Sequence, residues 1–209
     1  MELAGVITGA IALIISVILA WRNYLSPFHV EIFCGNPRLE PLPRGLEDGS
    51  TVIRFTAILP LYFTNAGARD GVISDITLVV NSGQNKWLLQ PFFYTKYSIS
   101  TEPALGTKIT EDPSNEPFYP VYLAGKSGVY KSIVFVLLEH ERFPIGTNPL
   151  LAGKYSFTLK TLEVGKRDYE TKLTFNVTLN NEQVNHLSTG NYLIPFLDEI
   201  KDKREKLHS

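Results

Sequence analysis

The sequence has few of the residues on which cofactor or metal chemistry depends. Its single cysteine, Cys34, excludes an internal disulfide framework and a zinc site built from several cysteines. The histidines lie far apart in the sequence, and no Gly-x-Ser-x-Gly motif for a serine nucleophile is present. We therefore expect a protein that is not an enzyme and that holds no cofactor and no metal. A site assembled from distant residues is the alternative.

An excess of positive charge is also missing, because 20 Lys and Arg residues are balanced by 21 Asp and Glu residues. Domains that bind nucleic acids normally carry a basic surface, so this balance predicts no nucleic acid partner. Hydrophobic residues make up 44% of the chain, which excludes disorder throughout.

A complete phosphate-binding loop is absent as well. Ala124-Gly-Lys-Ser127 resembles the end of that motif, but Pro120 stands where the motif requires its first glycine. A helix should follow and direct its N-terminus at the phosphates, whereas residues 128–133 have the pattern of a strand. We conclude that this segment is not a nucleotide site.

Charge and proline are absent from Leu3 to Ala20, an apolar run of 18 residues. As a helix it would extend roughly 27 Å, most of a hydrocarbon core of about 30 Å. Residues suited to headgroup depth follow it, namely Trp21, Arg22 and Tyr24. We predict a single-pass transmembrane anchor and juxtamembrane segment over residues 1–27. A cleaved signal peptide is the alternative, although the run is preceded by Glu2 rather than by positive charge.

The charges beside this run predict the membrane side. No Lys or Arg precedes it, whereas Arg22 and, further on, Arg38 follow it. The positive-inside rule then places the rest of the chain in the cytoplasm, with an extracytoplasmic domain as the alternative.

Small side chains recur along one face of the expected helix. Gly5 and Gly9 form a GxxxG pattern, which lets two helix backbones approach closely in lipid. The complete stripe consists of Gly5, Gly9, Ala12, Ser16 and Ala20. It predicts packing against a second copy of this chain or against a partner helix, in addition to contact with the lipid bilayer.

Beyond Phe28 the hydrophobic pattern changes to period two, which is typical of half-buried strands. It is clearest in Tyr155–Leu159 and Leu173–Leu179, while Asn65–Gly71 has the composition of a turn. The sequence thus predicts a mainly β protein, with an antiparallel immunoglobulin-like β-sandwich over residues 28–180.

Two proline-rich stretches interrupt this pattern, and both are expected to be loops: Asn36–Gly49 and a long loop over about residues 101–120. At the end of the domain, Asn181–Ser188 predicts a short helix. Asn191–Leu207 predicts a second, solvated helix with a charged tail, so that residues 181–209 form a C-terminal helical segment.

Two features of the expected domain are candidate sites. Cys34 falls in register with Val30 and Ile32, so it predicts a buried structural thiol rather than a nucleophile. An aromatic segment is a candidate ligand or partner surface, although a core would use the same residues: Phe92, Phe93, Tyr94 and Tyr97.

The segment Leu61–Ile76, together with the acidic-start anchor Met1–Trp21, resembles uncharacterised prokaryotic proteins that join a membrane helix directly to an immunoglobulin-like β-sandwich. Gly153–Phe157 is similar to the start of a late strand in such domains, where a tyrosine often fixes a corner. The resemblance implies the fold and the anchor, and it implies no activity and no site residues.

These observations favour a membrane-anchored, non-enzymatic interaction domain, such as a scaffold or accessory subunit that presents a β-sandwich at the membrane surface. The alternative is a ligand-binding or sensory domain that uses residues 92–97 and 101–120.

Overall fold

In the computed structural model, residues 2–45, 51–83, 85–102, 106–137, 143–144, 150–189, 193–195 and 197–201 are described. The apolar run forms α1 (Glu2–Ala20), which continues as a π-helical turn (Trp21–Leu25). The part from Val6 to Leu25 is long and apolar enough to cross a membrane, and none of it is buried against the domain. The predicted apolar helix is therefore confirmed.

The rest of the described chain is mainly strand. The strands are β1 (Val30–Cys34), β2 (Arg38–Gly45), β3 (Thr51–Asn65), β4 (Gly71–Ser82), β5 (Asn85–Glu102), β6 (Gly106–Pro117), β7 (Val121–Leu123), β8 (Gly128–Leu137), β9 (Phe143–Pro144), β10 (Gly153–Glu163), β11 (Glu170–Leu179) and β12 (Leu197–Lys201). A short helix, α2 (Asn181–Ser188), follows β11 and confirms the helix predicted there.

All of these strands belong to one antiparallel, barrel-like sheet. The main order is β1-β3-β8-β5-β4-β10-β11-β12, while β2 and β9 pair with β3, β6 pairs with β5, and β7 pairs with β4. Hydrogen bonds join the described strands continuously, so the two separate sheets of an immunoglobulin-like sandwich are not confirmed. Antiparallel β structure, in contrast, is confirmed.

The described part of the C-terminal segment, residues 193–195 and 197–201, helps to close this sheet. Leu193 exchanges two backbone hydrogen bonds with Leu39 of β2, each of 2.8 Å. A few residues later β12 pairs with β11. The helix predicted over Asn191–Leu207 is therefore wrong at these residues, because their backbone groups pair with two strand edges. The remainder of that prediction lies outside the described residues.

The two predicted loops also contain strands. Part of Asn36–Gly49 is β2, which is paired along its length with β3. Most of the expected loop at 101–120 is β6, which forms a hairpin with β5. Proline is tolerated in a strand where its missing N–H faces away from the ladder, and this explains why proline content misled the prediction.

The core lies inside the curved sheet. Alternate residues of β10 and β11 point into it, as the period-two pattern predicted, and the rings of Phe157 and Phe175 stack with centroids 5.0 Å apart. Phe63, Ile73 and Ile76 are completely buried. Tyr155 fixes the start of β10, since its hydroxyl donates to the carbonyl of Leu151 and accepts from the same residue's N–H.

Candidate functional site

The helix meets the domain at a surface with many hydrogen bonds. The backbone oxygen of Ser26, one residue after the π-helical turn, accepts hydrogen bonds from the N–H groups of Ala68 (3.1 Å) and Arg69 (3.2 Å). The Ser26 hydroxyl also accepts from Ala68 N–H at 2.8 Å, and the His29 carbonyl accepts from Ala66 N–H. The chain is thus bonded to the β3–β4 loop with no intervening flexible linker.

A buried asparagine organises this contact. Asn65 is 2% exposed, and its side-chain oxygen accepts hydrogen bonds from the N–H groups of Gly67 (2.9 Å) and His29 (3.3 Å). Its amide nitrogen donates to the carbonyls of Arg69 (2.8 Å) and Ala124 (3.1 Å). One side chain therefore joins three chain segments, which we call the junction: residues 26–29, 65–71 and 124–128.

The third segment is the turn that resembled a phosphate loop. Lys126 N–H donates to Gly67 C=O at 2.9 Å, and Gly125 N–H donates to the Asp70 carboxylate at 2.8 Å. Lys126 adopts a φ of 57°, so the residue occupies a tight left-handed turn. The β-strand β8 follows rather than a helix, in agreement with the conclusion that this is not a nucleotide site.

Glycine permits the close approach of these segments. A Cβ atom on Gly67 would lie 1.8 Å from the carbonyl oxygen of Pro27, and one on Gly125 would lie 1.9 Å from that of Ala68. At Gly71 a Cβ would meet the ring of Phe28 at 2.2 Å. The junction is therefore packed backbone against backbone.

Replacing Asn65 by aspartate should lower the free energy of unfolding by about 2–3 kcal/mol. The carboxylate keeps the two acceptor contacts but places an oxygen against the carbonyls of Arg69 and Ala124, which then lose their donor. Denaturant titration of the full-length protein would measure the change. As a matched control, Asn180→Asp should be nearly neutral, because Asn180 caps α2 as an acceptor and aspartate caps equally well. Equal stability of both variants would contradict this role of Asn65.

The exposed groups around the junction are basic and aromatic. Arg22, Arg69 and Lys126 are exposed, and none of them forms an ion pair with the residues that the structure describes. The acidic residue of the same loop, Asp70, is engaged differently: hydrogen bonds from the Tyr122 hydroxyl and from Gly125 N–H lower the pKa of its carboxyl group. The ring of Tyr122 is itself exposed.

The aromatic segment chosen from the sequence is split between the two faces of the sheet. Tyr94 is buried, whereas Phe92 is 58% exposed and Phe93 packs on a small cluster that includes Ile58 and Val134. The Phe92 and Phe93 ring centroids are 5.3 Å apart. The side chain of Tyr97 lies outside the described residues.

Sequence reasoning missed the neighbours that complete this aromatic cluster. The Tyr94 ring lies 5.4 Å from that of Phe118 and 4.8 Å from that of Tyr119. The Lys131 ammonium lies 4.7 Å from the Tyr94 ring centroid and donates to the Tyr119 hydroxyl at 3.1 Å. Burial is the main cause of the raised pKa of Tyr94, so this phenol stays protonated and donates to the Tyr119 carbonyl.

Cys34 is partly buried against the core, in agreement with the sequence prediction of a structural thiol. Burial raises the pKa of the thiol to about 12, so the nucleophilic thiolate is scarce at neutral pH. Its Sγ donates to the Gly35 carbonyl at 3.2 Å.

An ion-pair network ties together the hairpin between β10 and β11. Lys172 bonds to Glu163 (3.0 Å) and to Glu170 (2.7 Å), and Lys166 bonds to the same two carboxylates. Glu163 is almost completely buried, so the two ammonium groups offset its desolvation. We interpret this network as a structural element of the hairpin, because its charged groups are paired with one another.

We expect this network to weaken in acid. Hydrogen bonds from Lys166 and Lys172 lower the pKa of Glu170 to about 2 from its ordinary 4.5. Its contribution to stability is therefore complete above about pH 4.5 and is lost as the pH falls toward 2. Glu170→Gln should be less stable than wild type near neutrality, with the difference shrinking in acid. The effect is modest, because the Glu170 side chain is 44% exposed.

Urea titrations of wild type and Glu170→Gln across this pH range would measure the effect. Asp168→Asn is the matched control, since Asp168 is exposed in the same hairpin and forms no ion pair within the described part of the chain. A difference that stayed constant with pH would contradict the role of Glu170.

The histidines are not brought into a common site. His29 lies at the junction and His186 in the last turn of α2, and both are exposed. His140 and His208 lie outside the described residues. Among the side chains that the structure describes, no group of three or more His, Cys, Asp and Glu residues could hold a metal ion.

Comparison of the chain with family models, with curated protein sequences and with solved structures gives no match.

Proposed function

We propose that this chain is a single-pass membrane protein whose β domain acts as a non-enzymatic interaction module, as a scaffold or accessory subunit would. The junction is the observation that carries this proposal. Ser26 follows the apolar span directly and is bonded to the domain, so the position of the helix determines the position of the domain. A module with this connection presents one surface at a constant height above the bilayer.

The helix supplies the second half of the proposal. The stripe from Gly5 to Ala20 occupies one side of α1, and Ile7, Ile11, Ile14 and Ile18 occupy the opposite side. Apart from the adjacent residues and the helix's own backbone, no atom lies within 4 Å of the position where a Cβ on Gly9 would stand, so that face has room for another helix. Small residues at such a face allow close helix packing in lipid.

Crosslinking in native membranes tests this proposal. Tagged full-length protein would be crosslinked, purified and analysed by mass spectrometry, next to Gly5→Leu/Gly9→Leu and the matched control Ile7→Leu/Ile11→Leu. We expect a stoichiometric partner, or a dimer of this chain, that is lost in the glycine variant and retained in the isoleucine variant. Recovery of the wild-type protein alone would overturn the interaction role.

We place the domain on the cytoplasmic side, following Arg22 and Arg38 beside the span. Protease added to right-side-out vesicles should leave the domain intact. Mass analysis of the membrane-extracted chain should include residues 1–20, since α1 is proposed to be retained. Digestion from outside would overturn the orientation, and a chain that begins near Trp21 would show a cleaved signal peptide.

A second function is favoured by the aromatic cluster. Phe92 and Tyr119 are 58% and 44% exposed, and the Lys131 ammonium lies 5.2 Å from the centroid of the Tyr119 ring. Exposed rings next to a cation suit a ligand with a planar or anionic group. If this cluster binds a ligand, Phe92→Ala should abolish binding without changing stability, and the crosslinking result would not depend on Phe92.

An immunoglobulin-like ancestry of the domain is also a proposal. It is supported by the contact of Tyr155 with the backbone of Leu151, which resembles a tyrosine corner. Kinship with membrane-anchored prokaryotic proteins rests on the sequence resemblance alone.

A further inference from the structure

The junction fixes the depth of two basic side chains relative to the apolar span. Leu25 is the last residue of the span, and the carbonyl of Ser26 accepts the N–H of Arg69 at 3.2 Å. Lys126 is one hydrogen bond further, since its N–H donates to the carbonyl of Gly67, which packs against Pro27. If the span crosses a membrane, both backbones lie within a few ångströms of the plane where hydrocarbon ends. Their long side chains can therefore reach the phosphate layer.

These side chains are available to an anion. Arg69 and Lys126 are exposed and pair with no acidic group in the described ranges, whereas Lys166 and Lys172 of the β10–β11 hairpin are already paired. The nearby carboxylate of Asp70 is occupied by Tyr122 and by Gly125. Arg22 adds a third positive charge from the π-helical turn.

The aromatic residues nearby suit the same environment. Trp21, Tyr24 and Tyr122 are exposed around the basic groups. Amphipathic rings of this kind concentrate at the boundary between hydrocarbon and headgroups. The position, the charge and the aromatic character of these residues all suit the headgroup layer of a membrane.

We propose that Arg69 and Lys126 bind the phosphate groups of anionic phospholipids in the leaflet from which α1 emerges. This inference rests on the proposed membrane anchoring and adds a specific lipid contact to it. The contact would hold the domain flat on the bilayer, with the junction against the headgroups. Arg69 can form two parallel hydrogen bonds to one phosphate, and Lys126 provides a second charge.

Lipid retention tests the contact. Full-length protein would be reconstituted in vesicles of equal phosphatidylcholine and phosphatidylglycerol, extracted in mild detergent, and its bound lipids counted by native mass spectrometry. Each basic group near an anionic surface contributes about 1 kcal/mol, or about fivefold in occupancy. Removal of both groups in Arg69→Gln/Lys126→Gln should therefore lower the ratio of bound phosphatidylglycerol to phosphatidylcholine by roughly 25-fold.

Lys86→Gln/Lys154→Gln is the matched control, because it removes the same charge from two exposed residues. Lys86 lies at the start of β5 and Lys154 at the start of β10, at the end of the sheet opposite to the junction. It should retain lipid as wild type does. Equal retention by the Arg69→Gln/Lys126→Gln variant and wild type would overturn the proposal. Release of all three proteins from vesicles by alkaline carbonate would instead refute the anchoring itself.

Discussion

Gly67→Ala is expected to lower the free energy of unfolding by about 3 kcal/mol, the upper end for an overpacked site. The new methyl group would stand 1.8 Å from the oxygen and 2.7 Å from the carbon of the Pro27 carbonyl. Backbone atoms cannot rotate away, so the segment at residues 26–29 has to move. That movement breaks the hydrogen bonds of Ser26 to Ala68 and Arg69.

Thermal unfolding followed by circular dichroism measures this effect, and a loss of about 3 kcal/mol corresponds to a decrease in Tm of roughly 6–12 °C for a chain of this size. Gly35→Ala is the matched control, since the closest atom to its methyl group would belong to the Pro60 ring, at 3.1 Å, and the nearest backbone atom would lie 3.7 Å away. It should change stability much less. A Gly67→Ala protein as stable as the control would show that the junction is not rigidly packed.

Ending the chain after Thr189 should destabilise the domain even more. The truncation removes the two hydrogen bonds between Leu193 and Leu39 and the pairing of β12 with β11. At about 1 kcal/mol for each backbone hydrogen bond, the loss is roughly 4–6 kcal/mol before any exposed apolar surface is counted. It also leaves the edges of β2 and β11 unpaired, and such edges promote aggregation.

Expression of the truncated chain, followed by size-exclusion chromatography in detergent and denaturant titration, would show the result as aggregation or a low unfolding midpoint. The control is a chain that ends at Lys201, which keeps every contact of the C-terminal segment described above. A soluble, cooperative protein ending at Thr189 would contradict the closing role of this segment.

The sequence predicted what depends on local pattern. Alternation identified β10 and β11, and the Asn180–Gln183 capping pair explains why α2 begins where it does. It failed for β2 and β6, where proline suggested loops. It also failed for β12, where apolar residues spaced three and four apart suggested a helix. These strands form because they pair with the edges of other strands of the sheet, and a local sequence pattern does not contain that information.

At the junction, too, the sequence predicted the local structure but not the contacts between distant segments. The sequence correctly predicted a turn at Asn65–Gly71, where the Asn65 side chain accepts a hydrogen bond from Gly67 N–H. It did not indicate that Asn65 reaches His29 and Ala124, which are 36 and 59 residues away. The aromatic segment likewise gave Phe92 and Tyr94, but Phe118, Tyr119 and Lys131 are brought to it only by the β5–β6 and β5–β8 pairings.

The order of the elements along the chain has a consequence for biosynthesis. The proposed membrane helix α1 precedes the domain in the chain, and β12, which pairs with β11, follows every other described strand. At about 5–20 residues per second, a ribosome needs on the order of ten seconds to proceed from the end of β3 to β12. During that interval the edge of β2 lacks its C-terminal partner, and β11 lacks its partner from the time it is made until β12 follows. If α1 is the membrane anchor proposed above, the nascent domain is already held at the bilayer. Such an anchor would confine neighbouring nascent chains to one plane, where their open strand edges can meet. We therefore expect this protein to depend on chaperones that cover strand edges when many ribosomes translate it side by side.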